Sequence, residues 1–201
     1  MTCAEAIRTR RSIRRFQAAP VPRELVEQAV ELAAWAPSAS NRQDWLFTAV
    51  TAGSVKHAMA EAVRARWAAI LGQHENSGVF AEMRQYTASF GDLEDAPVAI
   101  AVAVRVPGAL QRQVAGEAAR TVAGSFASGA MAAHALMLAA HSLGLGTLCL
   151  TGALVAEDEL KNILGLGARE ELVCLVKMGW PAETPAAPAR KPLESILRWH
   201  D

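Results

Sequence analysis

Apolar and polar positions recur along this chain with two different periods, and the switches between them mark out the elements. Leu25, Val26, Ala29, Val30, Leu32 and Ala33 return at the three- and four-residue spacing that builds one apolar helix face, so residues 22–35 are expected to be helical. Pro22 suits the first helical position, where a missing N–H is no loss, and Ala36-Pro37 ends the helix. A strand follows over 45–51, then a helix from Gly53 through Val63 and Trp67 to residue 71. The run 96–104 is almost unbroken Val and Ala, the signature of a central strand covered on both faces. Two more strands are expected at 147–150 and 172–178, with a helix over 157–164 between them that closes at Gly165. At the start, Thr2 and Glu5 have the spacing of a capping box, which predicts a short helix reaching Arg8 or Arg10. Residues 72–78 read as an exposed loop, 79–90 as helix or flap, and 111–121 as helix.

The longest apolar pattern covers 122–143, inside a stretch from Thr121 to Ala156 that holds no Asp, Glu, Lys or Arg. Ser125, Gly129 and Ala133 form a stripe of small side chains that admits a close helix backbone. A helix apolar on all sides must be enclosed on all sides, and in a chain this size the enclosure is expected to include a second subunit. Ser125, Ser128, His134, His141 and Ser142 interrupt any clean membrane span of about 20 apolar residues, so the stretch reads as buried protein. His134 and His141 are expected to be satisfied core residues: seven positions apart on a helix, they stand about 10 Å from each other, too far to share a metal ion.

With 201 residues the chain is long enough for one domain, 1–201, with a sizeable core. Its 20 basic and 20 acidic side chains cancel, leaving no overall field to draw it to nucleic acid or anionic lipid. Cys3, Cys149 and Cys174 are odd in number, scattered and without a C-x-x-C pair, which argues against a disulfide framework or zinc site and suits a reducing cytoplasm. No apolar signal segment follows the first arginines.

Local chemistry gathers in Arg10-Arg11-Ser12-Ile13-Arg14-Arg15-Phe16. Four guanidinium groups and a hydroxyl at a helix end match an anion, with phosphate the natural guest, although basic turns also simply face water. The polar loop 37–44 has the donors to line a ligand, or is an ordinary Pro/Ser/Asn connection. Near the other end, a proline-rich tail over 181–192 leads through Arg190-Lys191 to a last helical turn at 193–199, a second basic spot. Gly144-Leu145-Gly146 opens like a dinucleotide fingerprint but precedes a strand and lacks the third glycine. No nucleophile elbow, Walker loop or metal spacing is present, which points to a cofactor that brings its own reactivity.

Taken in order, Arg10-Arg11-Ser12-Ile13-Arg14, the 36–45 loop, the Leu143-Gly144-Leu145-Gly146-Thr147 turn leading to Thr151-Gly152, and Arg190-Lys191-Pro192-Leu193-Glu194 resemble the nitroreductase family of FMN enzymes. That resemblance implies an α+β fold, a mixed, mostly antiparallel sheet flanked by helices, in an intertwined homodimer with FMN at the subunit interface. Carried over, Arg10, Ser12 and Arg190 would hold the FMN phosphate, with Arg11 and Lys191 close by. Arg14 would sit at the pyrimidine side of the flavin, where positive charge favours the reduced ring. Pro37, Ser38 and Ala39, with Asn41, would come from the other subunit, and the backbone of Thr151 and Gly152 would reach N5 and O4. Departures from the family pattern are Asp44 where many relatives carry proline, Cys149, and Thr151 in place of an acidic residue.

The implied reaction is ping-pong: NADH or NADPH gives hydride to flavin N5, and a small-molecule acceptor, a nitroaromatic or quinone, takes the electrons. The same scaffold also hosts enal reduction, dehalogenation, dehydrogenation and flavin fragmentation. Outside that reaction class stand an FMN-binding sensor or storage protein and a plain helical dimerisation module. Neither nucleic acid nor membrane is an expected partner.

Overall fold

The computed structural model describes residues 1–72, 87, 91–108 and 118–200. The loop expected over 72–78, the helix or flap over 79–90 and most of the helix over 111–121 fall outside them. The architecture is α+β. Helices α1 (Cys3–Thr9) and α2 (Arg23–Ala33) precede a 3-10 turn at Ala39–Asn41 and strand β1 (Trp45–Val50). Then come α3 (Gly53–Gly72), β2 (Val98–Arg105), α4 (Ala118–Ser142) and β3 (Gly146–Leu150). A 3-10 turn at Gly152–Ala156 leads into α5 (Glu157–Leu164), β4 (Glu170–Gly179) and a last 3-10 turn at Leu193–Ser195.

The four strands lie in the order β1-β2-β4-β3, every pair antiparallel. The parallel contribution that makes the sheet mixed is an isolated bridge on the β3 side, Ser12 to Thr147, closed by Ile13 N–H donating to Thr147 O at 2.9 Å. Strand β2 shows why its sequence is almost unbroken Val and Ala. Val98, Ile100 and Val102 face α2 and α4, while Ala99, Ala101 and Ala103 face the layer of α3 and α5, where Met59, Val63 and Leu160 fill the space left by their small side chains.

Helix boundaries follow the local chemistry. The capping box forms as expected, with Thr2 N–H on Glu5 Oε2 at 2.7 Å and Glu5 N–H on Thr2 Oγ1 at 3.2 Å. Pro22 takes the N-cap of α2, one position before the expected one, and Gly165 caps α5 in the left-handed region at φ 66°. Helix α4 starts at Ala118, inside the stretch expected to be a separate helix.

Two expectations about α4 are corrected. The Ser125, Gly129 and Ala133 stripe meets this chain's own elements, with Gly129 against the sheet and Ala133 in the core shared with α2. A Cβ on Gly129 would stand 2.6 Å from Val104 Cγ1 and 2.7 Å from Val173 Cγ2, so the glycine lets α4 lie directly on β2 and β4. The segment Ala123–Ser142 is long and apolar enough to cross a bilayer, yet this face of it packs on the sheet. Enclosure is also partial, because Ala123, Ala127, Ala130, Met131 and His134 are exposed on the chain. His134 is therefore no core histidine, whereas His141 is half-buried and shares a 2.8 Å hydrogen bond with Thr9 Oγ1.

Candidate functional site

Helix α1 delivers the basic segment to the open side of β3. Arg10 is its C-cap, its N–H on Ala6 O at 3.0 Å, and from there the chain lies against β3. That approach requires Gly146: a Cβ there would stand 2.7 Å from Ile13 Cγ1. Gly144, at φ 82°, makes the left-handed turn from α4 into β3. The Gly-Leu-Gly that fails as a dinucleotide fingerprint thus seats the arginine segment. Further on, Phe16 bridges to Pro181, and its ring lies 5.5 Å from the buried Lys177 ammonium.

Arg10, Arg11 and Ile13 line a recess of about 320 Å³ together with His141, the 144–147 turn, Pro181, Glu183, Thr184 and Pro185. Its electrostatics favour an anion. Burial, with the Arg10 and Arg11 charges adding to it, holds the His141 pKa below the usual histidine value, so the ring resists protonation while the recess holds no negative guest. Thr147 Oγ1 is buried and has no hydrogen-bond partner among the described residues, an orphan that a bound oxyanion would satisfy. Arg11 Nη1 is held in place by the carbonyls of Arg8 and Arg10, both at 2.8 Å. Glu183 is the acidic member, its carboxylate accepting from the Arg14 and Arg15 N–H groups at 2.5 and 3.1 Å, bonds that lower its pKa.

Strand β3 then leads to Thr151 and Gly152. Trp67 on α3 anchors this turn by donating Nε1–H to Gly152 O at 3.0 Å, and Thr151 is exposed. Just before it, Cys149 is half-buried, with Cys174 diagonal to it across the β3–β4 pair. The neighbouring Cys174 thiol, with a smaller contribution from the Arg10 charge, brings Cys149 down to about 7 against the opposing effect of burial. Arg10, Ser12, Cys149 and the Thr151-Gly152 turn therefore share one edge of the sheet.

The 37–44 loop lies at the other edge, leading into β1. Three strand spacings separate β1 from β3, about 14 Å, so one chain does not bring Pro37, Ser38, Ala39 and Asn41 to Arg10 or Thr151. The loop is built stiff. Ser40, Asn41 and Gln43 all have positive φ, 53°, 52° and 52°, an arrangement that persists only where surroundings impose it. Those surroundings are the small polar residues of α4: Ala39 N–H donates to Ser128 Oγ at 3.2 Å, and Ser125 Oγ–H donates to Asp44 Oδ2 at 3.1 Å. Asp44 also pairs with Arg42 at 2.9 Å, which gives the departure from proline a structural use.

Arg190 and Lys191 are exposed on the tail and do not line the recess. His141, Thr147 and Glu183 were not anticipated as site residues. Each looks ordinary in sequence and joins the arginines only because α4 ends, β3 begins and the tail departs at one corner.

The family model for the nitroreductase family matches residues 7–180. A Thermus thermophilus protein named NADH dehydrogenase is 32% identical over 203 residues, covering 94% of this chain and 92% of that one. Among solved structures, a BluB-like flavoprotein from Clostridium difficile 630 superposes with TM-score 0.86 at 23% identity over the whole of both chains. Oxidized iodotyrosine deiodinase bound to FMN and 3-iodo-L-tyrosine superposes with TM-score 0.77 at 20% identity, again over both whole chains. With the family model spanning every element from the end of α1 to the end of β4, the chain belongs to the nitroreductase family.

Proposed function

We propose that this protein is an FMN-dependent oxidoreductase, a single domain over 1–201 that works as a homodimer in the cytoplasm and uses NADH or NADPH to reduce a nitroaromatic or quinone. The observation that carries the reading is the recess where Arg10, Arg11, His141 and the orphaned Thr147 hydroxyl meet at the start of β3. Its donor set fits a phosphate monoester, and the turn lies on the same sheet edge. When bound, FMN supplies hydride acceptance from a nicotinamide and hydride delivery to an electrophile.

The chain's own residues bind and orient. Arg10 and Ser12 hold the phosphate, with Arg190 brought over from the tail and Arg11 and Lys191 adding charge. Arg14 presents its guanidinium to the pyrimidine side, and Glu183 fixes the Arg14 backbone. Backbone donors at Thr151 and Gly152 meet the polar edge of the ring, positioned by the Trp67 bond. Because the stiff 37–44 loop sits at the far edge of its own sheet, Pro37, Ser38, Ala39 and Asn41 complete the site of a second copy. Charge-assisted contacts of this kind contribute roughly 1.5–3 kcal/mol each, so Arg10→Ala and Arg190→Ala each weaken FMN about ten-fold or more. Equilibrium flavin titration checks this, and native affinity in both variants refutes the phosphate assignment. Reductive dehalogenation is the second reading, favoured by the likeness to the deiodinase structure, and iodide release from an iodinated phenol under reducing conditions separates it from the first.

A further inference from the structure

Two of the three thiols meet on the strand pair that feeds the Thr151-Gly152 turn. Cys149 on β3 stands opposite Val176 on β4, so Cys174, two residues along β4, occupies the diagonal position on the same face of the sheet. The pair is asymmetric. Cys174 is 2% exposed in the core among Val102 and Val176, whereas Cys149 is partly open. Across this diagonal the neighbouring sulfur, together with burial, keeps the proton on Cys174 and pushes its pKa far up, while Cys149 falls to about 7. Arg10 adds a positive charge near the same sulfur. An accessible thiolate beside a protonated, buried thiol is the arrangement of an attacking and a resolving sulfur.

We propose that Cys149 and Cys174 form a reversible, peroxide-oxidised disulfide. The Cys149 thiolate attacks one oxygen of hydrogen peroxide: the S–O bond forms as O–O breaks, leaving Cys149 as sulfenic acid and hydroxide, which takes up a proton to become water. The Cys174 sulfur then attacks the Cys149 sulfur. The S–S bond forms, S–O breaks, and the hydroxyl leaves with the Cys174 proton as a second water. Overall, two thiols and one peroxide give one disulfide and two waters, the thiols losing two electrons to the peroxide oxygens.

Closing the bond asks for a Cβ separation of about 3.8 Å, a closer approach than diagonal neighbours take. Strand β3 supplies the movement, since among the described residues the sheet continues beyond it only as the Ser12 bridge. A bond formed by drawing an edge strand inward is strained and yields readily to a dithiol. The proposal does not rest on the FMN reading.

The test treats the purified full-length protein with hydrogen peroxide, alkylates it under denaturing conditions and reads intact and peptide masses. The expected product has lost two hydrogen atoms, carries a Cys149–Cys174 cross-linked peptide and leaves Cys3 alone to alkylate; dithiothreitol restores all three thiols. Cys174→Ser stops at the sulfenic acid, trapped by dimedone on Cys149, and Cys149→Ser leaves Cys174 unreacted. Peptide mapping of the unaltered protein decides the matter should Cys174→Ser fail to fold. Cys149 and Cys174 both alkylated after peroxide has oxidised Cys3, or dimedone found on Cys174, overturns the proposal.

Discussion

At the scale of single residues, the site is organised by positive charge gathered at one corner of the fold. Four arginines in one short segment were legible in the sequence as an anion seat, because the residue types alone define that chemistry. The neutral partners were not legible: His141 and Thr147 are unremarkable until α4 and β3 place them beside Arg10 and Arg11. His141 carries a pH prediction. Its folded pKa lies below the 6.5 of an ordinary histidine, chiefly through burial and then through the Arg10 and Arg11 charges. The unfolded chain therefore binds the proton first as pH falls. Stability is complete above about pH 6.5 and is lost as pH drops through the depressed folded pKa. Urea midpoints of the flavin-free protein, measured from pH 8 down to pH 5.5, are expected to fall more for the native chain than for His141→Gln. Parallel curves remove His141 from the account.

At the scale of elements, sequence patterns located the four strands and helices α1 to α5, α1 through its capping box and the others largely through core faces that repeat at each element's spacing, but not the 3-10 turns at Ala39–Asn41 and Gly152–Ala156. They failed where a pattern identifies a close contact but not the partner. The Ser125, Gly129 and Ala133 stripe is as suited to a sheet as to a helix, and at Gly129 it meets Val104 and Val173. Gly129→Leu therefore overpacks the chain's own interior, at about 1–3 kcal/mol. Replacing a helical glycine returns no more than about 1 kcal/mol of propensity, so the variant is destabilised. Denaturant unfolding is expected to show this loss equally at every protein concentration. A loss that vanishes on dilution would mean that the glycine lies in a subunit contact after all. Gly146 presents the same lesson from the other side: its glycine pattern suggests a phosphate loop, while its use is to admit Ile13.

At the scale of the whole molecule, the single chain leaves apolar surface that the proposed homodimer would cover. Trp35, Leu193, Ile196 and Trp199 are 87%, 64%, 66% and 78% exposed. Between α2 and the edge strand β1, a groove of about 610 Å³ is lined by Val21, Val26, Val30 and Phe47, suited to take apolar side chains of a partner's tail. The sequence hinted at this through its proline-rich end, but no periodicity can say which copy a tail will meet. Removal of residues 190–201 is expected to yield a monomer that no longer retains FMN, as read by sedimentation with flavin absorbance. A truncated, flavin-bound monomer would contradict the shared site. The central claim, a redox flavoenzyme, is tested most directly by following the flavin absorbance of the purified protein in a stopped-flow instrument without oxygen. The account predicts that NADH or NADPH bleaches the flavin band in one half-reaction and that a nitroaromatic or quinone, added afterwards, restores it in a second. A flavin band that neither nucleotide bleaches would contradict it.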